Sequence, residues 1–460
     1  MLFSSIPFLY YYLPTTLVLY LLAPNRLKNA VLLLASLVFY GWGEPRYLLL
    51  MVVSILFGYG FGILIEKTEN TKRARLYLVL SILVSLGTLG FFKYANFFIY
   101  NVNLVTGISI PLLSIALPIG ISFYTFQILS YGVDVYRGDV KAQRNLLNFS
   151  TYVTMFPQLI AGPIVRYSDI EDQLKSRRHS FEQVYKGIRR FIIGLSKKVL
   201  LANLLGELCS IFKDSNDKSV LFYWIYAISY TLHIYYDFSG YSDMAIGLGK
   251  IIGFTLPENF NYPYISKSIT EFWRRWHISL GSWFRDYVYI PMGGNRVPLK
   301  RWFLNILVVW MLTGFWHGAN WNFIVWGLLF AILLMIEKLF LNRLLAKAPS
   351  ILVHLYVMFF VILSFVIFDA TSVRQAFSYI GAMMGVEDLS ITSKESLYYL
   401  KSYGVVIIAA VIGSLPVARW GKLKPLKNSY TEALLLLILL LLVTSYLVDG
   451  SFNPFLYFRF

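Results

Sequence analysis

Apolar runs long enough to cross a bilayer recur along the whole of this 460-residue chain. About 20 consecutive apolar residues in a helix span the hydrocarbon layer. Backbone groups inside that layer find no water, so each needs a partner within the protein. The pattern predicts apolar helices over 8–23, 28–43, 47–65, 76–97, 119–136, 188–211, 219–236, 302–316, 322–342, 351–369, 403–418 and 430–448. Some of these re-enter or lie flat, which gives about ten to twelve transmembrane or re-entrant helices. The expected class is therefore an all-α, polytopic integral membrane protein.

Composition agrees. The chain is 57% hydrophobic and 14% charged, with a mean hydropathy of +0.61, whereas a soluble domain carries about a quarter charged residues. Its net charge of +17 is read as cytoplasmic loops touching anionic lipid, with no nucleic-acid partner. Lys67, Lys72, Arg73 and Arg75 place the loop after the third span inside. Arg26 and Lys28 then also fall inside, and the N-terminus outside. Arg419, Lys422, Lys424 and Lys427 put the loop before the last span inside and the tail, ending at Phe460, outside. The single Cys209 excludes an internal disulfide and a multi-cysteine metal site, and no metal site is expected. Pro14 and Pro24 interrupt and follow the first apolar run, which lacks the form of a cleavable signal peptide.

Neither a linker nor an internal repeat divides the chain, so one integral domain over 1–460 is expected. Within it, 1–117 reads as scaffold, 118–327 as the core that carries the motifs, and 328–460 as C-terminal spans. From residue 118, proline, glycine and polar residues enter apolar stretches, first at Pro118–Tyr124 and again at Phe156–Tyr167. Such backbone is tolerated at membrane depth only where protein or a water-filled cavity satisfies it. The stretch 171–198 is basic, with Lys175, Arg177, Arg178, Lys186, Arg189, Arg190, Lys197 and Lys198. It fits simple anchoring on the cytoplasmic face, or the reception of an anionic donor such as coenzyme A. His179, in the same polar loop, reads as solvated.

Three polar clusters interrupt the apolar core. Thr313 to Trp321 places His317 among Phe315, Trp316, Gly318, Ala319 and Asn320. An ionisable group at this depth is costly and is a functional candidate, and imidazole can take and return a proton near neutral pH. Apolar Phe315 and Trp316 beside it favour the uncharged base. The second cluster runs from His233 to Asp243. His233 and Asp237 are four apart, within hydrogen-bonding reach on one helix face, and Asp237 and Asp243 fit either a hydrophilic tunnel or polar glue between helices. In the third, Trp273, Trp276 and Trp283 alternate with Arg274, Arg275 and Arg285 around His277. That composition suits a helix at the headgroup boundary; buried, the arginines need carboxylate or phosphate partners. No Gly-x-Ser-x-Gly elbow, His-Glu-x-x-His helix or P-loop is present. Chemistry here has to run on histidine and positioned dipoles.

Taken in order, these blocks resemble the membrane-bound O-acyltransferase family, in its alginate O-acetylation branch. The resemblance runs from Met1–Ser5 through Phe156–Tyr167, Tyr236–Asp243 and the tryptophan–arginine block to Phe315–Gly318. It implies that His317 is the essential catalytic residue and His277 a second, supporting one. It also implies two funnels joined by a narrow tunnel, with His317 at the bottleneck. Asp237, Ser239, Tyr241, Asp243, Arg274, Arg275, Trp316 and Asn320 are the candidates to line that tunnel. No permanently bound cofactor is implied. The donor would be acetyl-coenzyme A or another cytoplasmic thioester, and the acceptor a polysaccharide outside a bacterial inner membrane, served by an extracytoplasmic acetyltransferase partner. Peptidoglycan O-acetylation and teichoic-acid D-alanyl transfer are the alternatives on the same fold. Arg274 stands where the D-alanyl transferases usually have asparagine, which favours the acetyl branches. A glycan-export component without chemistry is the alternative from another class; it would more readily show related halves.

Overall fold

A computed structural model describes residues 1–417, 429–450, 452–454 and 456. The basic run Arg419, Lys422, Lys424 and Lys427, and Phe460, lie outside these. The described residues form helices and connecting segments, with no strand among them, and each of the twelve expected apolar stretches is helical over most of its length. Six helices among the described residues are long and apolar enough to cross a membrane: Pro45–Lys67, Thr71–Thr106, Trp321–Leu345, Ser350–Asp369, Lys394–Gly413 and Tyr430–Val448. The chain is a multi-pass membrane protein. Two compact units can be distinguished: Met1–Phe191 with Ser242–Pro257, and Ile192–Tyr241 with Glu258–Phe460.

In the first unit, Pro45–Lys67 packs against Ile121–Arg137 through small residues. A Cβ on Gly58 would sit 2.7 Å from Ile128, and one on Gly62 2.5 Å from the Tyr131 ring. Glycine is what lets these elements meet, because lipid offers no hydrophobic drive to push helices together. The Thr71–Thr106 helix starts where the Asn70 side chain accepts from the Lys72 and Arg73 amides, and stops at Gly107, φ +73°. Beyond it, residues 108–113 return along the helix in extended form. Asn103 bonds both backbone groups of Ile110, and Asn96 both of Leu113.

The proline-rich block at 156–167 is buried from Phe156 to Val165. Protein groups satisfy its broken backbone: the Phe156 amide donates to Ser36 Oγ, and Tyr152 Oη donates to the Val165 carbonyl. Gly120, φ +75°, lies so close that a Cβ there would come within 2.7 Å of the Leu159 carbonyl. These are the protein partners that irregular backbone at this depth requires.

Candidate active site

The site lies in the second unit and starts from a helical hairpin. Leu299–His317 and Trp321–Ile336 touch through two glycines, since a Cβ on Gly314 or Gly327 would lie 2.2 Å from a carbonyl oxygen of the other helix. The first helix ends at His317 because Gly318 turns to extended backbone, lying against the Phe323 ring. His317 is thereby fixed at a helix end and is 5% exposed. Ring centroids of Trp316, Trp326 and Phe368 stand 4.9, 5.1 and 5.1 Å from its imidazole, each edge-on. His317 lines a chamber of about 10 Å³ with Asp237, Phe238, Trp276, Phe368 and Leu456, among others. That is room for about one water molecule.

His277 joins two short helices, Ile269–Arg275 and Ile278–Phe284, in left-handed backbone at φ +44°. A non-glycine residue held there costs about 1 kcal/mol or more, so the surroundings must impose it. Asn259 does so. Its carbonyl accepts from the Ile278 amide, and its Oδ1 accepts from the Ser279 amide at 3.2 Å and the Ser279 hydroxyl at 2.9 Å. An atom that accepts from a backbone N–H is the amide oxygen. His277 Nδ1, 3.1 Å from that same atom, therefore carries the proton, leaving the lone pair on Nε2. Nε2 is buried and has no hydrogen-bond partner among the described residues. The His277 ring meets Phe238 edge-on at 4.6 Å and lies 5.9 Å from Trp316. Trp316 and Phe238 thus serve both histidines. His277 also lines a second cavity, of about 600 Å³, with Trp273, Arg274, Arg285, Thr313 and Lys338.

The carboxylates divide. Asp237, fully buried, forms an ion pair with buried Lys198, and its Oδ2 accepts from the Leu456 amide at 3.1 Å. Lys198 also donates to the Pro454 carbonyl. Asp243 belongs to the first unit, where Arg190 holds it at 2.8–2.9 Å, and it lines neither cavity. His233 does not bond Asp237; its Nδ1 lies 2.7 Å from the Ala202 carbonyl, so the helical spacing gives proximity without a bond. Arg275 is held by Glu271 and the Asn261 carbonyl, whereas Arg274 faces the large cavity with no partner among the described residues. Ser239 and Tyr241 are buried, and Asn320 donates to the Thr371 carbonyl away from both cavities.

Sequence reasoning passed over Asn259 and Glu337, and read Lys198 only as part of a basic stretch. Glu337 is buried and accepts from the Ile269 and Thr270 amides, from Thr270 Oγ1 and from Tyr356 Oη. It closes the N-terminus of the helix that leads to His277, where unpaired amides welcome a carboxylate. The available signal was a lone acid in the apolar run 321–345.

A family model for the membrane-bound O-acyltransferases matches residues 140–379, a stretch that holds both histidines and Asp237. The chain belongs to the membrane-bound O-acyltransferase family. This acyltransferase is 39% identical to the probable alginate O-acetylase AlgI of Azotobacter vinelandii, with both chains covered in full. It is 42% identical to the protein of that name from Pseudomonas aeruginosa, over 90% of this chain and 80% of the other. It is also 35% identical to the peptidoglycan O-acetyltransferase of Helicobacter pylori, over 87% and 83%. O-acetyl transfer is the activity these relatives share by name. Family membership sets the export-only reading aside.

Proposed function

We propose that this protein moves acetyl from acetyl-coenzyme A in the cytoplasm toward an extracytoplasmic polysaccharide such as alginate, across a bacterial inner membrane. A separate extracytoplasmic acetyltransferase completes delivery to the glycan. One observation carries the reading: His317 lines a small chamber, and His277, which shares the Trp316 ring with it, lines a cavity of about 600 Å³. Small-molecule sites typically fall between about 300 and 1,000 Å³.

The chemistry follows from exchange of a thioester for an oxygen ester. The acceptor hydroxyl oxygen bonds to the thioester carbonyl carbon, and its proton passes to His317. The carbon–sulfur bond then breaks, and the imidazolium returns the proton to the departing thiolate. General-base assistance of this kind is worth about 10² to 10⁴ in rate. A chamber that holds about one water must widen to admit an acetyl group, so ring movement at Trp326 or Phe368, which line it, accompanies turnover. A second reading gives His277 a direct part, because its Nε2 is a buried acceptor without a donor among the described residues.

Peptidoglycan is the alternative acceptor, through the Helicobacter relative. Glycan NMR of cells with and without this gene tests the proposal. Loss of acetyl esters from one polysaccharide identifies the acceptor, and unchanged esters in every envelope glycan refute the reading.

A further inference from the structure

In the first unit, three basic side chains converge on one buried phenol. Tyr20 is fully buried, and its hydroxyl donates to the Ile252 carbonyl at 2.7 Å. Arg177 Nε donates to that hydroxyl at 3.1 Å, and His179 Nε2 lies 3.1 Å from it. Lys28 Nζ stands 3.2 Å from His179 Nε2 and 5.1 Å from the Tyr20 ring centroid.

The cluster is built rather than incidental. The imidazole stacks on the Tyr20 ring at 5.6 Å, and Gly253, φ +85°, makes room for it, since a Cβ there would lie 2.9 Å from His179. Arg177 is locked by Asn29 Oδ1, the Gln173 carbonyl and the face of Phe254. Lys28 also opens the Lys28–Gly43 helix, whose positive end adds to the field.

What the cluster lacks is a negative partner. No carboxylate pairs with Lys28, Arg177 or His179 among the described residues; the nearby acids Glu171 and Asp172 go to Lys175. Two cations stand beside an exposed imidazole whose proton affinity is lowered by partial desolvation, then by Lys28, then by Arg177. Three bonded N–H groups leave Arg177 two donors to spare, and Lys28 keeps at least two. Such spare donors beside uncompensated charge match the tetrahedral oxygens of a phosphate, which takes charge-assisted bonds from several directions.

We propose that Lys28, Arg177 and His179 form a phosphate-binding site. Its occupant is a phosphate ester, carried either by a soluble phosphorylated donor or by the headgroup of an anionic phospholipid. The first source rests on the donor assigned above; the second does not depend on it.

The test uses the full chain in phosphatidylcholine nanodiscs and its Lys28→Gln and His179→Gln variants, each checked by thermal melt. Binding of coenzyme A and of 3′-dephospho-coenzyme A is titrated, and phosphatidylglycerol retention is measured by native mass spectrometry from mixed nanodiscs. If the phosphate is the donor's, coenzyme A binds about tenfold more weakly to either variant, a change of about 1.4 kcal/mol. The advantage of coenzyme A over the dephospho form also disappears. If it is the lipid's, coenzyme A binding is unchanged and phosphatidylglycerol retention falls about tenfold. Variants that fold and match the wild type in both measurements overturn the proposal. Should one variant fail to fold, the other decides, because each removes one of the side chains that build the same site. Failure of acetyl transfer with retained phosphate binding would refute the donor reading alone.

Discussion

Lys198 and Asp237 offer the sharpest quantitative prediction. Their side chains are 2% and 0% exposed, and they are paired within the second unit. Neutralising one partner strands the other charge where water cannot reach it. Breaking such a buried pair costs about 3–5 kcal/mol, whereas replacing both partners by apolar residues is often neutral. At about 2–4 °C per kcal/mol for a unit of about 250 residues, Asp237→Asn should lower the melting temperature in detergent by roughly 6–20 °C. Lys198→Met should do the same, and Lys198→Met/Asp237→Leu should recover most of the loss. Acetyl transfer by the double variant then separates two roles, because Asp237 also lines the His317 chamber. A stable but inactive double variant gives the carboxylate a part in the chemistry, and a stable and active one makes it structural. A single Asp237→Asn variant that melts within 2 °C of wild type would refute the reasoning about the buried charge.

His317→Ala is expected to abolish acetylation while the protein still inserts and melts normally, with acetyl esters in cells carrying only the variant as the measure. His277→Ala should reduce the rate less; a loss as complete as at His317 would establish a two-histidine mechanism. Gly327→Ala places a methyl 2.2 Å from the Trp310 carbonyl, so it should cost a few kcal/mol and lower both melting temperature and activity. An unchanged melt would mean that the hairpin is looser than described. Sidedness is testable in a background lacking Cys209, which is buried. A cysteine at Thr71 should label only after the membrane is made permeable, and labelling in intact cells would reverse the topology.

Helix positions were legible because apolar length is a one-dimensional property. The His317 and His277 blocks were legible because ionisable residues are rare in apolar sequence. Partners were not. Lys198 looked like one more positive charge in a basic run, yet it lies buried against Asp237, and its partner is distant in sequence. Asn259 carries no local mark; only the fold brings its amide to His277 and Ser279. Asp237 and Asp243 looked equivalent six residues apart, but one lines the His317 chamber and the other is held by Arg190. Pattern along a chain reports burial and period, whereas pairing depends on contacts that close over long separations.

The extended segment after Gly107 has a consequence for exchange with solvent. Ile108, Ile110 and Leu112 are exposed and apolar, and no neighbouring strand accompanies them. Yet the amides of Ile110 and Leu113 are each occupied by an asparagine side chain. Helices and closed barrels are the usual ways to silence backbone polarity near lipid; here two carboxamides do the work of a missing strand. In deuterated buffer those two amides should exchange more slowly than the amides of Ser109 and Leu112, protected points in a stretch without regular structure. Replacing either asparagine by leucine would keep the surface greasy but unmask one rung, and the segment would peel from the helix at that point first.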